Sequence, residues 1–373
     1  MGSSGPLNSV LEALWGIEAR LNHAGKLPYC SLRSPRDFVV VEPPPRASRG
    51  PWILFLARKE GIDTITLMGR AKKLLGAQKA SSRGLKDACS ISYQYIALYT
   101  NAGNGGLAGK TLEGPGFRLY HVCSSGPLKP RTLPFNLFLL KPSTDDPETL
   151  CDNISRLECI PGFYGPQRFG IERPNTHIVA LLTGESRLGD LLREYRFRYP
   201  LEARSKPGAY EARAIEEASR ALSPFKTGRP PAIVLEALQS YLFNRALSTA
   251  IRDGSLERYG ETGVTVENRG ILSRVPAARL PSPKLRSSGS SWARLVSYIL
   301  EEEGLNWTML RGLKPRIKPL KYPIIVTTCR KTRDSAVIAL SLPRGAYATI
   351  ALREACDVDW LGYCRQHWGT ALT

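Results

Sequence analysis

The sequence lacks any run of about 18 or more apolar residues, the length that a helix needs to cross a membrane. Residues 1–5 carry neither the basic start nor the apolar core of a secretory signal. Histidine is scarce, with four copies, and none of the eight cysteines is arranged as C-x-x-C. We therefore expect no membrane attachment, no signal peptide and no zinc or other metal site.

A disulfide framework is also not expected in a chain of this length. A chain of 373 residues can bury a large core without such cross-links. We therefore expect free thiols, a reducing compartment and a cytoplasmic location. Cys89 is expected to be a packing residue rather than a nucleophile, because no histidine lies near it in the sequence.

Acidic residues are also too few to balance the basic ones. Lys and Arg number 52 against 33 Asp and Glu, which gives a formal net charge of +19 and a pI near 9.7. Such an excess favours a polyanionic partner. Nucleic acid is favoured over a membrane surface, because the candidate helices have the pattern of ordinary core-facing helices. An unusually basic surface without a partner is the alternative.

Hydrophobic periodicity predicts strand-rich segments on both sides of a helical middle. The predicted helices cover residues 8–22, 63–77, 147–157, 174–184, 187–196, 209–222, 231–252 and 292–303, with a final helix from about 346, and a loop-rich basic region follows residue 252. The predicted strands cover residues 37–42, 52–59, 91–99, 117–122, 134–141, 323–328 and 335–342. This order is typical of a discontinuous domain that contains an insertion.

An aspartate in a loop stands out as a candidate reactive group. Residues 84–87 read Gly-Leu-Lys-Asp and precede the predicted strand 91–99. A rigid strand commonly presents a loop carboxylate as a nucleophile or base. Lys86 could keep Asp87 ionised, since a nearby cation lowers the pKa of a carboxyl group. A solvated surface pair is the alternative.

Four further segments accompany this loop, and their order resembles the TruD family of tRNA pseudouridine synthases. Residues 35–42 (PRDFVVVE) resemble the family's P-E-D-F-x-V-x-E, and residues 162–170 (GFYGPQRFG) its N-Y-F-G-x-Q-R-F-G. Residues 237–244 (ALQSYLFN) and 342–354 (LPRGAYATIALRE) match its A-x-x-S-x-x-F-N and its L-P-x-G-x-[FY]-A-T-x-x-x-R-E. Two departures matter: Gly162 replaces the family's Asn, and Tyr164 replaces its Phe.

The resemblance implies an α+β fold: a pseudouridine synthase core with a mixed or antiparallel sheet, interrupted by an inserted, largely helical family-specific domain. Residues 1–175 and 305–373 would form the discontinuous catalytic domain, and residues 176–304 the insertion. The implied activity is isomerisation of a uridine in tRNA, at position 13 in the D-arm, by a monomer without a cofactor.

The resemblance also implies the site. Asp87 would be the essential carboxylate, with Lys86 beside it. Arg33 matches the family's basic residue and is a candidate partner of Asp87, with a phosphate contact or a solvated position as the alternative. Further implied substrate-binding residues are Tyr164 and Tyr347 as an aromatic platform, Gln167 and Arg168 as loop or phosphate contacts, and Asn244, which like Gln94 is interpreted as a buried brace.

Other readings of the sequence stay open. A non-catalytic RNA-binding protein or tRNA folding chaperone could share the fold, and a base-removing glycosidase would also use a carboxylate. The basic runs 281–286 and 311–321 are predicted to bind phosphates, although such runs are often only solvated. The glycine-rich segment 104–111 ends like a P-loop, but its first position is Asn104 and a breaker-rich stretch follows, so no nucleotide site is predicted.

Overall fold

The computed structural model describes residues 6–22, 25–46, 48–101, 109–169, 187–198, 232–360 and 362. The predicted helices 174–184 and 209–222 lie outside these residues, as do Gly170 and most of the segment 104–111. None of the helices in the described ranges is both long and apolar enough to cross a membrane.

A mixed sheet of nine strands forms the centre of the fold, in the order β15-β16-β8-β2-β5-β3-β7-β6, with β4 paired to β5 outside this path. Within it β2 and β5 run parallel, and the other pairs are antiparallel. Its strands are β2 (Phe38–Val41), β3 (Trp52–Lys59), β4 (Lys79–Ser82), β5 (Ile91–Tyr99), β6 (Thr111–Gly114), β7 (Phe117–Ser125), β8 (Phe135–Leu140), β15 (Ile325–Lys331) and β16 (Ala336–Pro343). The sheet confirms the predicted mixed α+β class.

Three smaller sheets surround this centre. They have the orders β17-β1-β9, β10-β14 and β11-β12-β13. Their strands are β1 (Tyr29–Ser31), β9 (Ser143–Thr144), β10 (Cys159–Pro161), β11 (Thr262–Asn268), β12 (Ile271–Arg279), β13 (Ile317–Pro319), β14 (Lys321–Pro323) and β17 (Asp357–Val358).

The helices largely match the predicted segments. They are α1 (Pro6–Leu14), α2 (Thr64–Leu75), α3 (Pro147–Ser155), α4 (Arg187–Arg198), α5 (Ala232–Arg252), α6 (Leu256–Tyr259), α7 (Pro283–Arg286), α8 (Ser291–Glu302) and α9 (Ala348–Ala355). The first is shorter than predicted, because Gly16 adopts a φ of +73° and ends it early.

One face of the large sheet is covered by helices and the other is more open. In β5 the buried Gln94, Ile96 and Leu98 alternate with the half-buried Tyr93 and Tyr95. Helix α2 packs its buried face on the same hydrophobic cluster as Ile96 and Leu98. The opposite face therefore presents tyrosine side chains close to the loop that precedes β5.

The predicted domain division is crossed by strand pairing. Strand β12 belongs to the predicted insertion and β13 to the predicted catalytic domain, yet Ala278 pairs with Lys318. The residues between α6 and α7, expected to be loop-rich, form the β11–β12 hairpin. The described part of the predicted insertion is therefore not purely helical, and the division itself stays a prediction.

Two disulfides overturn the expectation of free thiols. Cys30 is bonded to Cys356, and Cys151 to Cys329, across 326 and 178 residues of sequence. The parallel pairing of β1 with β17 brings the first pair together, and the packing of α3 on β15 brings the second. Cys89 is disulfide-bonded as well.

Candidate active site

The loop before β5 holds Asp87 against Lys59, the last residue of β3. The Lys59 ammonium is completely buried and donates to the main-chain carbonyl of Asp87 at 2.5 Å. The Asp87 carboxylate is half-buried and accepts from the backbone N–H of Cys89 at 3.3 Å. Because β3 and β5 pair with Lys59 opposite Ser92, the sheet register fixes the lysine at the base of the loop.

Electrostatics make these two groups dependent on each other. Burial raises the pKa of Asp87, while the N–H of Cys89 and the charge on Lys59 oppose that rise. Burial lowers the pKa of Lys59 to about 8, and the Asp87 carboxylate partly offsets that fall. Each group therefore favours the charged form of the other in a poorly solvated place.

Lys86 has a different partner from the one predicted. Its ammonium lies 2.8 Å from a carboxylate oxygen of Glu42, and the guanidinium of Arg83 lies 3.3 Å from the other oxygen of that carboxylate. All three side chains are nearly inaccessible to solvent. Lys86 therefore anchors the loop to the end of β2, and the cation that influences the Asp87 carboxylate is Lys59.

A second contact fixes the same loop to the start of α2. The backbone N–H of Lys86 donates to Thr64 Oγ1 at 2.7 Å, and the Thr64 hydroxyl donates to Gln94 Oε1 at 3.1 Å. Asp63 caps α2 by accepting from two backbone N–H groups, so Thr64 has a fixed position. This agrees with the interpretation of Gln94 as a buried brace.

The Tyr164 segment is held by Asn244 on α5. The Asn244 amide accepts from the N–H of Tyr164 at 2.8 Å and donates to its carbonyl at 3.0 Å. It also donates to the carbonyl of Trp15 at 2.9 Å. Asn244 is fully buried, so its described contacts are those of a brace.

Tyr164 and Tyr347 lie together, as expected from their segments. Their ring centroids are 6.3 Å apart and their planes meet at 62°, an edge-to-face contact. Gly165 permits this approach, since a Cβ there would lie 2.8 Å from the Tyr347 ring. A base cannot lie between the two rings at this separation, so it would pack on their accessible edges or separate them.

Gln167 and Arg168 connect the same segment to neighbouring helices. Gln167 Oε1 accepts from the hydroxyl of Thr349 at 3.1 Å. Arg168 donates to Ser240 Oγ at 3.1 Å and pairs with Glu236 at 2.9 Å, while its guanidinium lies over the Tyr164 ring. The Arg168 side chain is 27% exposed, which leaves part of it accessible to a ligand.

Arg33 lies at the surface, in the segment that leads into β2. Its side chain donates to Ser31 Oγ at 3.3 Å, and its backbone N–H donates to the Asp37 carboxylate at 2.9 Å. Because β2 and β5 are parallel, they begin at the same end of the sheet. Arg33 and Asp87 each lie shortly before one of these strands. The contacts above do not include Asp87, so the pairing of Arg33 with Asp87 stays a prediction.

The site divides into two groups. Asp87 precedes β5, and Tyr347 follows β16, with β2 and β8 between those strands in the sheet. One group surrounds Asp87 and the other surrounds Tyr347. The contacts described above connect residues within each group. Within the described residues, no three His, Cys, Asp or Glu side chains are grouped so that they could hold a metal ion.

Two buried lysines were not predicted from the sequence. Lys59 ends an apolar strand, and a charged residue at the buried end of such a strand was the available signal. Lys318 is buried beside Tyr164, Tyr322 and Tyr347. It lies within a basic run that was interpreted only as a phosphate-binding surface, so nothing in the sequence separated it from its exposed neighbours.

Comparison with known proteins identifies the family. A sequence profile described as tRNA pseudouridine synthase D (TruD) matches residues 29–196. A Pyrobaculum aerophilum protein named "Probable tRNA pseudouridine synthase D" is 27% identical over 86% of this chain and 90% of its own length. The "tRNA pseudouridine synthase D" of Anaeromyxobacter dehalogenans is 26% identical over 88% of this chain and 92% of its own. The chain belongs to the TruD family.

The fold agrees with this assignment. The crystal structure of a TruD protein from Methanosarcina mazei aligns with a TM-score of 0.63, over 94% of this chain and 99% of that one, at 18% identity. This likeness shows that the two chains share their fold.

Proposed function

We propose that this TruD-family isomerase converts a uridine of tRNA to pseudouridine with Asp87 as its essential carboxylate. The observation that carries the proposal is the Asp87 loop. A half-buried carboxylate is held just before β5 by the buried Lys59 on its main-chain carbonyl, by the N–H of Cys89 and by the Glu42–Lys86 ion pair. Such fixed placement of an ionised group is what a reaction at one sugar carbon requires.

The reaction rearranges one nucleotide without adding or removing atoms. The N1–C1′ bond breaks, the uracil turns, and a C5–C1′ bond forms while a proton leaves C5 and one is gained at N1. No cofactor is needed for this balance. Asp87 could attack C1′, attack the ring, or remove a proton from the sugar, and each role requires its charged form, which the ammonium of Lys59 favours.

The target base must leave its stack before it can turn. We propose that the edges of Tyr164 and Tyr347 receive it, because both rings are half-buried and in mutual contact. Base–aromatic stacking contributes about 1–3 kcal/mol per base. Arg33, Gln167 and Arg168 are proposed to contact the nucleotide or its phosphates, while Lys86 and Asn244 support the two loops.

The RNA surface is proposed from charge and exposure. Lys284 and Arg286 in the first basic run are exposed, as are Arg311, Lys314 and Arg316 in the second. Family analogy gives position 13 in the D-arm of tRNA as the target. We propose a monomer as the acting form. The same analogy gives residues 176–304 as an inserted domain beside the catalytic one.

The proposal is tested by mapping pseudouridine in unmodified tRNA transcripts with carbodiimide treatment and primer extension. The wild-type protein should produce one strong stop in the D-arm. Asp87→Asn keeps the shape but removes the charge, so isomerisation should fall below detection while tRNA binding persists. The exposed Asp145→Asn provides a matched control and should react like the wild type.

The outcomes also separate the alternative functions. Wild-type turnover by Asp87→Asn would reject the assignment of the carboxylate. Tight tRNA binding without pseudouridine in the wild-type reaction would favour a folding chaperone. Release of free uracil would indicate a glycosidase instead of an isomerase.

A further inference from the structure

Lys318 is a buried cation within the aromatic part of the site. It is the central residue of β13 and is 5% exposed. The ammonium lies 4.4 Å from the ring centroid of Tyr164, 5.1 Å from that of Tyr322 and 5.8 Å from that of Tyr347. It donates to the carbonyl of Gly345 at 3.1 Å and approaches the Tyr322 hydroxyl at 3.4 Å.

No carboxylate forms an ion pair with Lys318 in the part of the chain that the structure describes. The nearby Glu236 is shared between Arg168 at 2.9 Å and Arg316 at 3.7 Å. Arg344 is a further cation close to Tyr322. The cluster of Lys318, Arg168 and Arg316 with Glu236 therefore carries an excess of positive charge.

An ammonium buried without an anion is costly, and its protonation responds to that cost. Burial lowers the pKa of Lys318 to about 7, and the charge on Arg168 adds to the effect. Burial raises the pKa values of Tyr164, Tyr322 and Tyr347, so these rings stay neutral near pH 8. Within this cluster, Lys318 is the group that changes charge near neutral pH.

Several side chains around the buried Lys318 are partly exposed. Tyr164 and Tyr347 are half-buried, and the side chains of Arg168 and Arg316 are 27% and 58% exposed. The ammonium is thus the buried end of a patch whose outer part solvent can reach. A ligand that separates the two tyrosine rings would meet it.

The strand that carries Lys318 also explains the loss of the family's asparagine. The N–H of Gly162 donates to the Leu320 carbonyl at 2.7 Å, and a Cβ on Gly162 would lie 2.0 Å from the Pro319 carbonyl oxygen. Any side chain at position 162 would clash with β13 in its present position. The polar group beside Tyr164 is therefore Lys318 of β13.

We propose that Lys318 binds an anionic phosphodiester oxygen of the RNA next to the flipped nucleotide, and that the RNA supplies the counter-charge which the protein lacks. This inference rests on the proposed tRNA substrate. Its consequence is proton uptake: at pH 8 most of the free enzyme has neutral Lys318, and the bound phosphate restores the ammonium.

Calorimetry can measure this uptake without turnover, with the Asp87→Asn protein as background for every variant. Titration of a tRNA transcript at pH 8, in two buffers of different ionisation enthalpy, gives the number of protons bound. Lys59 has the same surroundings in all these variants, so its contribution to the proton uptake is common to them. We expect Lys318→Met to take up nearly one proton fewer than the background protein and to bind more weakly by about tenfold.

Two further variants separate charge from titration. Lys318→Arg stays charged at pH 8, so it should keep the affinity while losing the same proton uptake. Lys331→Met removes an exposed lysine that pairs with Glu148, and it should behave as the background does. A short RNA with neutral methylphosphonate linkages beside the target uridine should abolish the Lys318-dependent uptake.

The possible failures are distinguishable. If the background protein binds no tRNA, the proposed function itself is rejected. If it binds tRNA and Lys318→Met shows the same proton uptake, the phosphate site is rejected while the function stands. Uptake that persists with the methylphosphonate RNA would assign the ammonium to a base carbonyl and overturn the phosphate contact.

Discussion

Burial raises the pKa of the Asp87 carboxyl group, and the N–H of Cys89 and the ammonium of Lys59 oppose that rise. Lys86 is adjacent in sequence, but its charge is matched by Glu42 at 2.8 Å. Sequence adjacency suggested Lys86 as the cation beside Asp87, whereas the described ion pair of Lys86 is with Glu42. The sheet register, which sequence does not display, places Lys59 at the Asp87 loop.

This difference predicts a change in the pH dependence of catalysis. Asp87 must be ionised, so activity should fall as the pH drops through its raised pKa. Lys59→Met removes the opposing positive charge and should raise that pKa further. The acid limb of kcat/KM should then move to higher pH by about one unit or more.

Lys86→Met is the informative comparison. It leaves Arg83 as the cation paired with Glu42 and should reduce activity by loosening the loop, but it should leave the position of the acid limb unchanged. Measurement of kcat/KM for pseudouridine formation from pH 5 to 9, at constant ionic strength, locates the acid limb of each variant. A shift produced by Lys86→Met and absent from Lys59→Met would return the role to Lys86.

At the scale of elements, periodicity found the long segments and missed a hairpin. Helices α2 and α5 and strands β3 and β5 match their predicted positions because each buries a regular apolar face. The β11–β12 hairpin was missed, since Arg269 and Gly270 at its turn both have positive φ angles and only the glycine signals this in sequence. Pairing partners such as β12 and β13 depend on contacts that no local pattern encodes.

The candidate site was predicted to a similar extent. Motif positions placed Tyr164 beside Tyr347 and identified Asn244 as a brace, and the contacts agree. The lysines were missed because burial of a cation depends on the surrounding fold, and a lysine in a basic run gives no sign of it. Gly162 was recognised as a departure, but its cause, the Pro319 carbonyl, lies 157 residues away in sequence.

The close approach of Gly162, just after β10, to Pro319 in β13 gives a prediction at this scale. Gly162→Ala would place a Cβ 2.0 Å from the Pro319 carbonyl oxygen. Because that oxygen belongs to the backbone, the main chain would have to shift to relieve the clash. We expect a loss of about 1–3 kcal/mol in the free energy of unfolding, measured by chemical denaturation. Tyr164 follows directly, so activity should fall as well.

A glycine in open space provides the matched control. Gly69 lies on α2, and a Cβ there would meet nothing within 4 Å. Gly69→Ala should therefore stabilise the protein by about 0.5–1 kcal/mol through helix propensity. Equal effects of the two substitutions would show that Gly162 and Pro319 do not approach as described.

At the scale of the whole molecule, the informative features are the net charge and the disulfides Cys30–Cys356 and Cys151–Cys329. The formal charge of +19 favours a polyanionic partner, which agrees with membership of an RNA-modifying family. The cysteine pattern misled, because spacing in sequence cannot reveal partners 326 and 178 residues apart. The Cys30–Cys356 bond joins β1 to the end of α9, and the Cys151–Cys329 bond joins α3 to β15, so together they tie both ends of the proposed catalytic domain.

These cross-links should stabilise the chain chiefly by restricting its unfolded state, by about 2–4 kcal/mol each. A reductant that reaches the bonds should therefore lower the free energy of unfolding of the wild type. The double variant Cys30→Ala with Cys356→Ala should start from a lower stability and lose less on reduction, since one bond is already absent. Cys123→Ala, at an exposed free thiol, should match the wild type with and without reductant.

Alkylation followed by mass spectrometry counts the protected cysteines under each condition. Full alkylation of Cys30 and Cys356 in the denatured, unreduced protein, with no effect of reductant on unfolding, would contradict the covalent closure.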